Sequence, residues 1–160
     1  MNRLWAPWRI NYIRAKKEKK CLFCKSQKAS SDSFVIFKTK HAIVLLNIFP
    51  YNNGHLMVSP LRHVRDIALL KEGEILDLIR ATNRARFLLD KVLKPEGYNI
   101  GMNISEVAGA GIAGHLHIHV VPRWRGDTNF MPVLSNTKII SQSLRELYRQ
   151  LRNAQKKYIE

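Results

Sequence analysis

His115, His117 and His119 stand at alternate positions of the run His115-Leu116-His117-Ile118-His119-Val120-Val121, so three of the chain's six histidines crowd into one short apolar stretch. An extended strand turns successive side chains to opposite faces, which puts the three imidazoles on one side and Leu116, Ile118 and Val120 on the other. A free imidazole titrates near ~6.5, so this row can supply a nucleophile, a proton carrier and a metal ligand at neutral pH. Three stacked imidazoles used only for packing would give little hydrophobic return, and each would need a hydrogen-bond partner. All three on one catalytic zinc is the other simple arrangement. The outer two, however, lie about 13 Å apart along a strand that rises ~3.3 Å per residue, a poor span for one ion. The pattern favours a division of labour along the row.

Cys21 and Cys24 are the only cysteines. Two residues apart, they can form a metal knuckle or a redox pair. A redox pair of the thioredoxin kind belongs between a strand and a helix, whereas this one follows a basic run at residues 14–20 and precedes a polar loop at 25–33. That context favours zinc. Two thiolates fill half of a tetrahedral structural site, leaving His41, His55, His63 and the triad to complete it.

With 160 residues the chain is long enough for one ordinary core, and a single domain is expected over 1–160, its first 30 residues carrying the cysteines. No stretch approaches the ~20 apolar residues of a membrane span. The opening Met1-Asn2-Arg3-Leu4-Trp5 lacks the apolar centre of a secretory signal, so a cytoplasmic location is expected. Twenty-seven basic residues against 12 acidic ones give a net charge of +15, which attracts nucleotides, nucleic acid and phosphorylated metabolites alike. Much of that charge falls in residues 14–20 and 145–157, where it reads as solvated faces of terminal segments.

The elements that must position the reactive groups follow from periodicity. Apolar runs at 34–37 and 41–46 predict a hairpin, and 54–59 a third strand ended by Pro60. Between residues 71 and 93, Ile75, Leu78, Ile79, Thr82, Ala85, Phe87, Leu88 and Leu89 recur at helical spacing, and Pro95-Glu96-Gly97 stops the run. A fourth strand is expected at 98–104, a glycine- and alanine-rich loop at 107–114, and the histidine strand at 114–121, closed by Pro122. A helix over about 140–157, with Leu144, Leu147 and Leu151 on its stripe, ends the chain. Strands joined mostly without intervening helices predict an α+β fold, an antiparallel five-stranded sheet with one long central helix and a C-terminal helix.

The heptad His115 to Val121 resembles the signature of the histidine triad (HIT) family, in which histidines alternate with hydrophobic residues and two hydrophobics follow. Asn47 together with Asn53-Gly54-His55-Leu56-Met57-Val58 is similar to the family's nucleotide-pocket segment. Pro122-Arg123-Trp124-Arg125-Gly126-Asp127-Thr128-Asn129-Phe130-Met131-Pro132 and Leu4-Trp5-Ala6-Pro7-Trp8-Arg9 resemble the bacterial branch related to diadenosine tetraphosphate phosphorylases.

The resemblance implies a HIT-like fold and an enzyme in which His117 attacks the α-phosphorus of a bound nucleotide, giving a nucleotidyl-histidine intermediate. A neutral imidazole is a competent nucleophile, and a covalent intermediate divides one phosphoryl displacement into two easier steps. In that scheme His119 serves the phosphate, and Asn47 and Ile48 form the nucleoside pocket. Asn103 contacts phosphate and His55 supports the triad. It further implies a structural zinc on Cys21, Cys24, His63 and His115, a dinucleoside polyphosphate substrate, and a homodimer. One departure is the loop Ala108-Gly109-Ala110-Gly111-Ile112-Ala113-Gly114, where many members place a glutamine or serine donor. Here backbone N–H groups around Gly111 would cradle phosphate instead, leaving phosphorolysis and hydrolysis both open. A hydrolase of nucleoside phosphoramidates is one alternative. A zinc-stabilised module that binds nucleotides or nucleic acid without turnover is another.

Overall fold

A computed structural model describes residues 21–28, 34–128, 134 and 139–158. The tryptophan-bearing opening, the basic run at 14–20 and the motif end at 129–132 lie outside the described residues.

Five strands form one sheet: β1 (Val35–Lys38), β2 (Ala42–Leu46), β3 (Leu56–Pro60), β4 (Gly97–Met102) and β5 (Ile118–Arg123). Their order is β1-β2-β3-β5-β4. Every neighbouring pair is antiparallel, and the β1–β2 and β2–β3 connections are short. A one-turn helix α1 (Leu22–Ser26) precedes the sheet, the long helix α2 (Glu72–Leu93) joins β3 to β4, and α3 (Leu144–Tyr158) closes the chain. The α+β expectation and the count of strands therefore hold.

Alternation divides the sheet into two working faces. Ala42, Val44, Leu46, Leu56, Val58, Ile118 and Val120 pack beneath α2 (Leu78, Ala81, Ala85, Leu88, Leu89) and α3 (Leu147, Leu151, Ala154) in the main core. Ile43, Leu45 and Met57 turn the other way and pack with Phe23 of α1 in a smaller cluster. Met57 is the cross-strand partner of His119, so this second face carries the histidines.

Several boundaries differ from the sequence reading, each for a local reason. Pairing of β5 starts at Ile118, leaving His115 and His117 on an extended lead-in rather than in the strand. There the Leu116 N–H donates to Val64 O at 2.6 Å, and Leu116 O accepts from the Ser59 hydroxyl at 2.8 Å. Those two bonds replace the ladder and keep the alternation. Pro122 lies inside β5, where it pairs with Tyr98 but β3 has already ended at the Val120 register. Its missing N–H therefore breaks no rung. The C-terminal helix begins at Leu144 rather than near 140, because the Ser143 hydroxyl accepts the Glu146 N–H and caps it. Helix α2 is closed by Lys94, in the left-handed region at φ 48°.

Gly54, just ahead of His55, has φ +80°, and a Cβ there would fall 2.5 Å from Leu93 Cδ1 and 3.0 Å from Pro122 Cγ. Only glycine lets the β2–β3 turn lie this close to the end of α2.

Candidate active site

Each histidine of the row is oriented by a different neighbour. His115 is fully buried, and its Nε2 lies 2.9 Å from the Pro60 carbonyl oxygen. A carbonyl only accepts, so Nε2 carries the proton and Nδ1 keeps its lone pair. That Nδ1 lies 3.2 Å from Cys21 Sγ and 3.6 Å from Cys24 Sγ, while Cys24 Sγ lies 3.3 Å from His63 Nδ1. The four ligand atoms fall within 4.8 Å of one another. Burial and the neighbouring Cys21 push the Cys24 thiol up, a penalty that a dication would reverse. Two sulfurs and two imidazole nitrogens converging this closely are the donor set of a closed tetrahedral zinc site. The cluster can thus hold a metal ion, and neither His41 nor His55 belongs to it.

His117 is buried, and its Nδ1 lies 2.9 Å from His115 O. By the same reasoning Nδ1 carries the proton and Nε2 holds the lone pair. Burial holds its pKa below the ordinary imidazole value, although the bond to His115 O opposes this. At neutral pH it is therefore a free base with one nitrogen available for attack.

His119 is set by His55. The Tyr51 backbone N–H donates to His55 Nδ1 at 3.1 Å, and Asn47 Nδ2 donates to the same atom at 3.2 Å. Thus His55 Nδ1 accepts, and its protonated Nε2 donates to His119 Nδ1 across 2.9 Å. In neutral His119 the proton must then sit on Nε2, which is buried without a partner among the described residues. Burial, reinforced by repulsion from His119 and then His117, pushes His55 down to about 3. Burial and His117 push His119 down to about 4. At pH 7 His55 is therefore neutral. The pair is neutral and its tautomers are fixed, so His119 presents an N–H donor beside the free-base nitrogen of His117, with ring centroids 4.8 Å apart.

A cleft of about 270 Å³ opens beside His119, lined by Tyr51, Asn99, Ile100, Gly101, Met102, Asn103 and Val121. The expected site residues divide accordingly. His119 and Asn103 line the cleft, and His117 adjoins His119. The Asn47 side chain is occupied in the turn, where its Oδ1 accepts the Phe49 N–H and its Nδ2 reaches His55. Ile48 is 42% exposed and does not line the cleft. Gly111 sits in a turn with nothing within 4 Å of where a Cβ would be.

Tyr51, Phe23 and Asn99 were not anticipated. Tyr51 stacks on His55 at 4.6 Å and reaches His119 at 5.4 Å. Its adjacency to the Asn-Gly-His segment was the available signal. The turn that carries Tyr51 is pinned by Asn52, whose Nδ2 donates to Pro122 O at 3.0 Å and to Asp127 at 2.8 Å. Asp127 is held in turn by Arg123 at 2.6 Å, which keeps its carboxyl well below the usual carboxylate range. The same guanidinium donates to Asn99 on the cleft wall at 2.7 Å. Asn99, Pro122, Arg123 and Asp127 are all distant in sequence from Tyr51.

Comparison with known proteins agrees with this geometry. The family described as the HIT domain matches residues 28–126. An AP-4-A phosphorylase of Mycobacterium tuberculosis is 36% identical over 161 residues, covering 94% of this chain and 83% of that protein. A bis(5'-nucleosyl)-tetraphosphatase [asymmetrical] of Schizosaccharomyces pombe is 30% identical over 95 residues, covering 59% of this chain and 52% of that one. Among solved structures, a zinc-bound histidine triad family protein from Mycobacterium smegmatis superposes with TM-score 0.68 at 26% identity, covering 86% of this chain and 94% of that one. With the family matched across most of the chain, the protein belongs to the HIT domain family and is an enzyme of that family.

Proposed function

We propose that the protein cleaves dinucleoside polyphosphates at the α-phosphate through a nucleotidyl-His117 intermediate. The observation that carries this reading is the complementary tautomer state of two adjacent rings: a lone pair on His117 Nε2 and an unpartnered N–H on His119 Nε2. In the first step His117 Nε2 forms a P–N bond as the bridging P–O bond breaks, with the polyphosphate departing. His119 Nε2–H hydrogen-bonds the phosphate oxygens as charge develops there. In the second step an oxygen of water or orthophosphate attacks the same phosphorus and the P–N bond breaks. The names borne by the Mycobacterium and Schizosaccharomyces relatives support this substrate class.

Cys21, Cys24, His63 and His115 would hold zinc, which ties α1 and the loop after β3 to the histidine segment without entering the chemistry. The reading includes a homodimer, for which the exposed β4 edge is available, and a cytoplasmic location. No helix of the described residues is long and apolar enough to cross a membrane.

Incubation with diadenosine tetraphosphate, with and without orthophosphate, tests the reading. ADP plus ATP formed only with phosphate identifies phosphorolysis, and AMP plus ATP without it identifies hydrolysis. His117→Ala is expected to abolish either. Normal turnover by that variant would sink the mechanism, and no cleavage by the unmodified protein would sink the substrate assignment.

A further inference from the structure

We propose that Phe23 is a positioning residue for the nucleophile, its ring forming one wall of the slot that holds the His117 imidazole. The inference rests on the reading of His117 as nucleophile and names a residue that the reading does not use.

Among the described residues the His117 ring is held by one hydrogen bond, between Nδ1 and His115 O. One bond fixes the direction of one atom but not the tilt of the ring. Two rings flank it: His119 with centroids 4.8 Å apart, and Phe23 with centroids 5.0 Å apart and planes at 36°. Phe23 also meets His115 at 5.1 Å, so one aromatic face spans both a metal-site histidine and the nucleophile. Its side chain is completely buried and packed among Ile43, Leu45 and Met57. The sheet therefore blocks its retreat, and a smaller side chain there would leave a cavity beside His117.

Phe23 reaches this position on α1, a one-turn helix that starts after Cys21 and contains Cys24. α1 belongs to no sheet, so the two sulfurs and the buried ring help to locate it. The Cys-x-x-Cys turn thus delivers an aromatic wall to the reactive imidazole as well as two sulfurs to the metal site.

The test compares Phe23→Leu and Phe23→Met with Ile43→Val, a core change in the same cluster. For Phe23→Leu, kcat on diadenosine tetraphosphate should fall about 10- to 100-fold, the scale of a misplacement near 1 Å, with KM within about threefold. Bound metal should stay at the unmodified stoichiometry. Phe23→Met, which fills more of the slot, should retain more of kcat than Phe23→Leu. Ile43→Val should keep kcat within about twofold, since it disturbs packing but not the ring. Imidazole nitrogen NMR should report one tautomer of His117 in the unmodified protein and a mixture in Phe23→Leu.

Unchanged kcat in both Phe23 variants, or an equal loss in Ile43→Val, overturns the proposal. If Phe23→Leu does not fold, Phe23→Met decides by the same readings. If the unmodified protein does not cleave the substrate, the functional reading fails by itself. The NMR comparison then decides on Phe23, an unchanged His117 tautomer overturning it.

Discussion

His55 Nε2 lies 2.9 Å from His119 Nδ1, and because the Tyr51 amide already donates to the other nitrogen of His55, the proton of this bond belongs to His55. The relationship leaves Nε2 as the donor nitrogen of neutral His119. His55→Ala should therefore lower kcat more than it raises KM, by about 10-fold or more, as loss of an outer partner typically does. Measured kcat and KM for that variant check it, and a raised KM with kcat unchanged would assign His55 to binding alone.

Stability should depend on pH through the same pair. His55 and His119 titrate at about 3 and about 4 in the fold, against an ordinary 6.5. Between those values and 6.5 the unfolded chain takes up protons that the folded chain refuses, so stability falls as pH falls from 6.5. Each pH unit in the window costs about 1.4 kcal/mol per histidine. Urea midpoints at pH 7, 6 and 5 should drop in sequence, and His55→Phe should flatten the slope.

Glu74 gives a second and lower acid window. Arg62 donates to it at 2.9 and 2.6 Å and the Lys71 N–H at 2.8 Å, which holds its carboxyl at about 2. A depressed carboxylate contributes stability above its unfolded value of 4.5 and loses it as pH falls toward 2. With Arg62 partly solvated, Glu74→Gln should cost about 1 kcal/mol at pH 7, and the difference should vanish near the acid end. Denaturation of both proteins across pH 7 to 2.5 checks the convergence.

Gly54→Ala combines a φ of +80° with a 2.5 Å approach to Leu93 Cδ1, so the turn must shift for the methyl to fit. A loss of about 2 kcal/mol or more is expected, with activity reduced because His55 is the next residue. The urea midpoint and kcat should fall together.

Cys24→Ser should lower bound zinc from one ion per chain toward none and lower the melting temperature, since the site joins segments distant in sequence. Activity should fall less than in His117→Ala, because the four clustered Cys and His side chains do not include the proposed nucleophile. Metal analysis with thermal melts checks the first part, and zinc retained at full stoichiometry by both Cys24→Ser and His63→Ala would refute the site.

Much of this was written in local sequence. Alternation over residues 115–121, the helical period of 72–93 and the apolar runs of β1 to β3 are short-range patterns, and they specified the sheet, the long helix and the shared face of the three histidines. The late start of β5 pairing at Ile118 was not legible, because the Val64 carbonyl and the Ser59 hydroxyl that replace the ladder lie over fifty residues away in the chain. Proton positions within the row depend on such contacts too. The sequence determined that three imidazoles share a face, since that needs only the period of a strand. Which nitrogen carries the proton is decided by tertiary contacts for two of them, Pro60 O setting His115 and His55 setting His119, while the nearby His115 O sets His117. A tautomer is chosen by the donor or acceptor that faces the ring, and for His115 and His119 that partner is brought there by the fold.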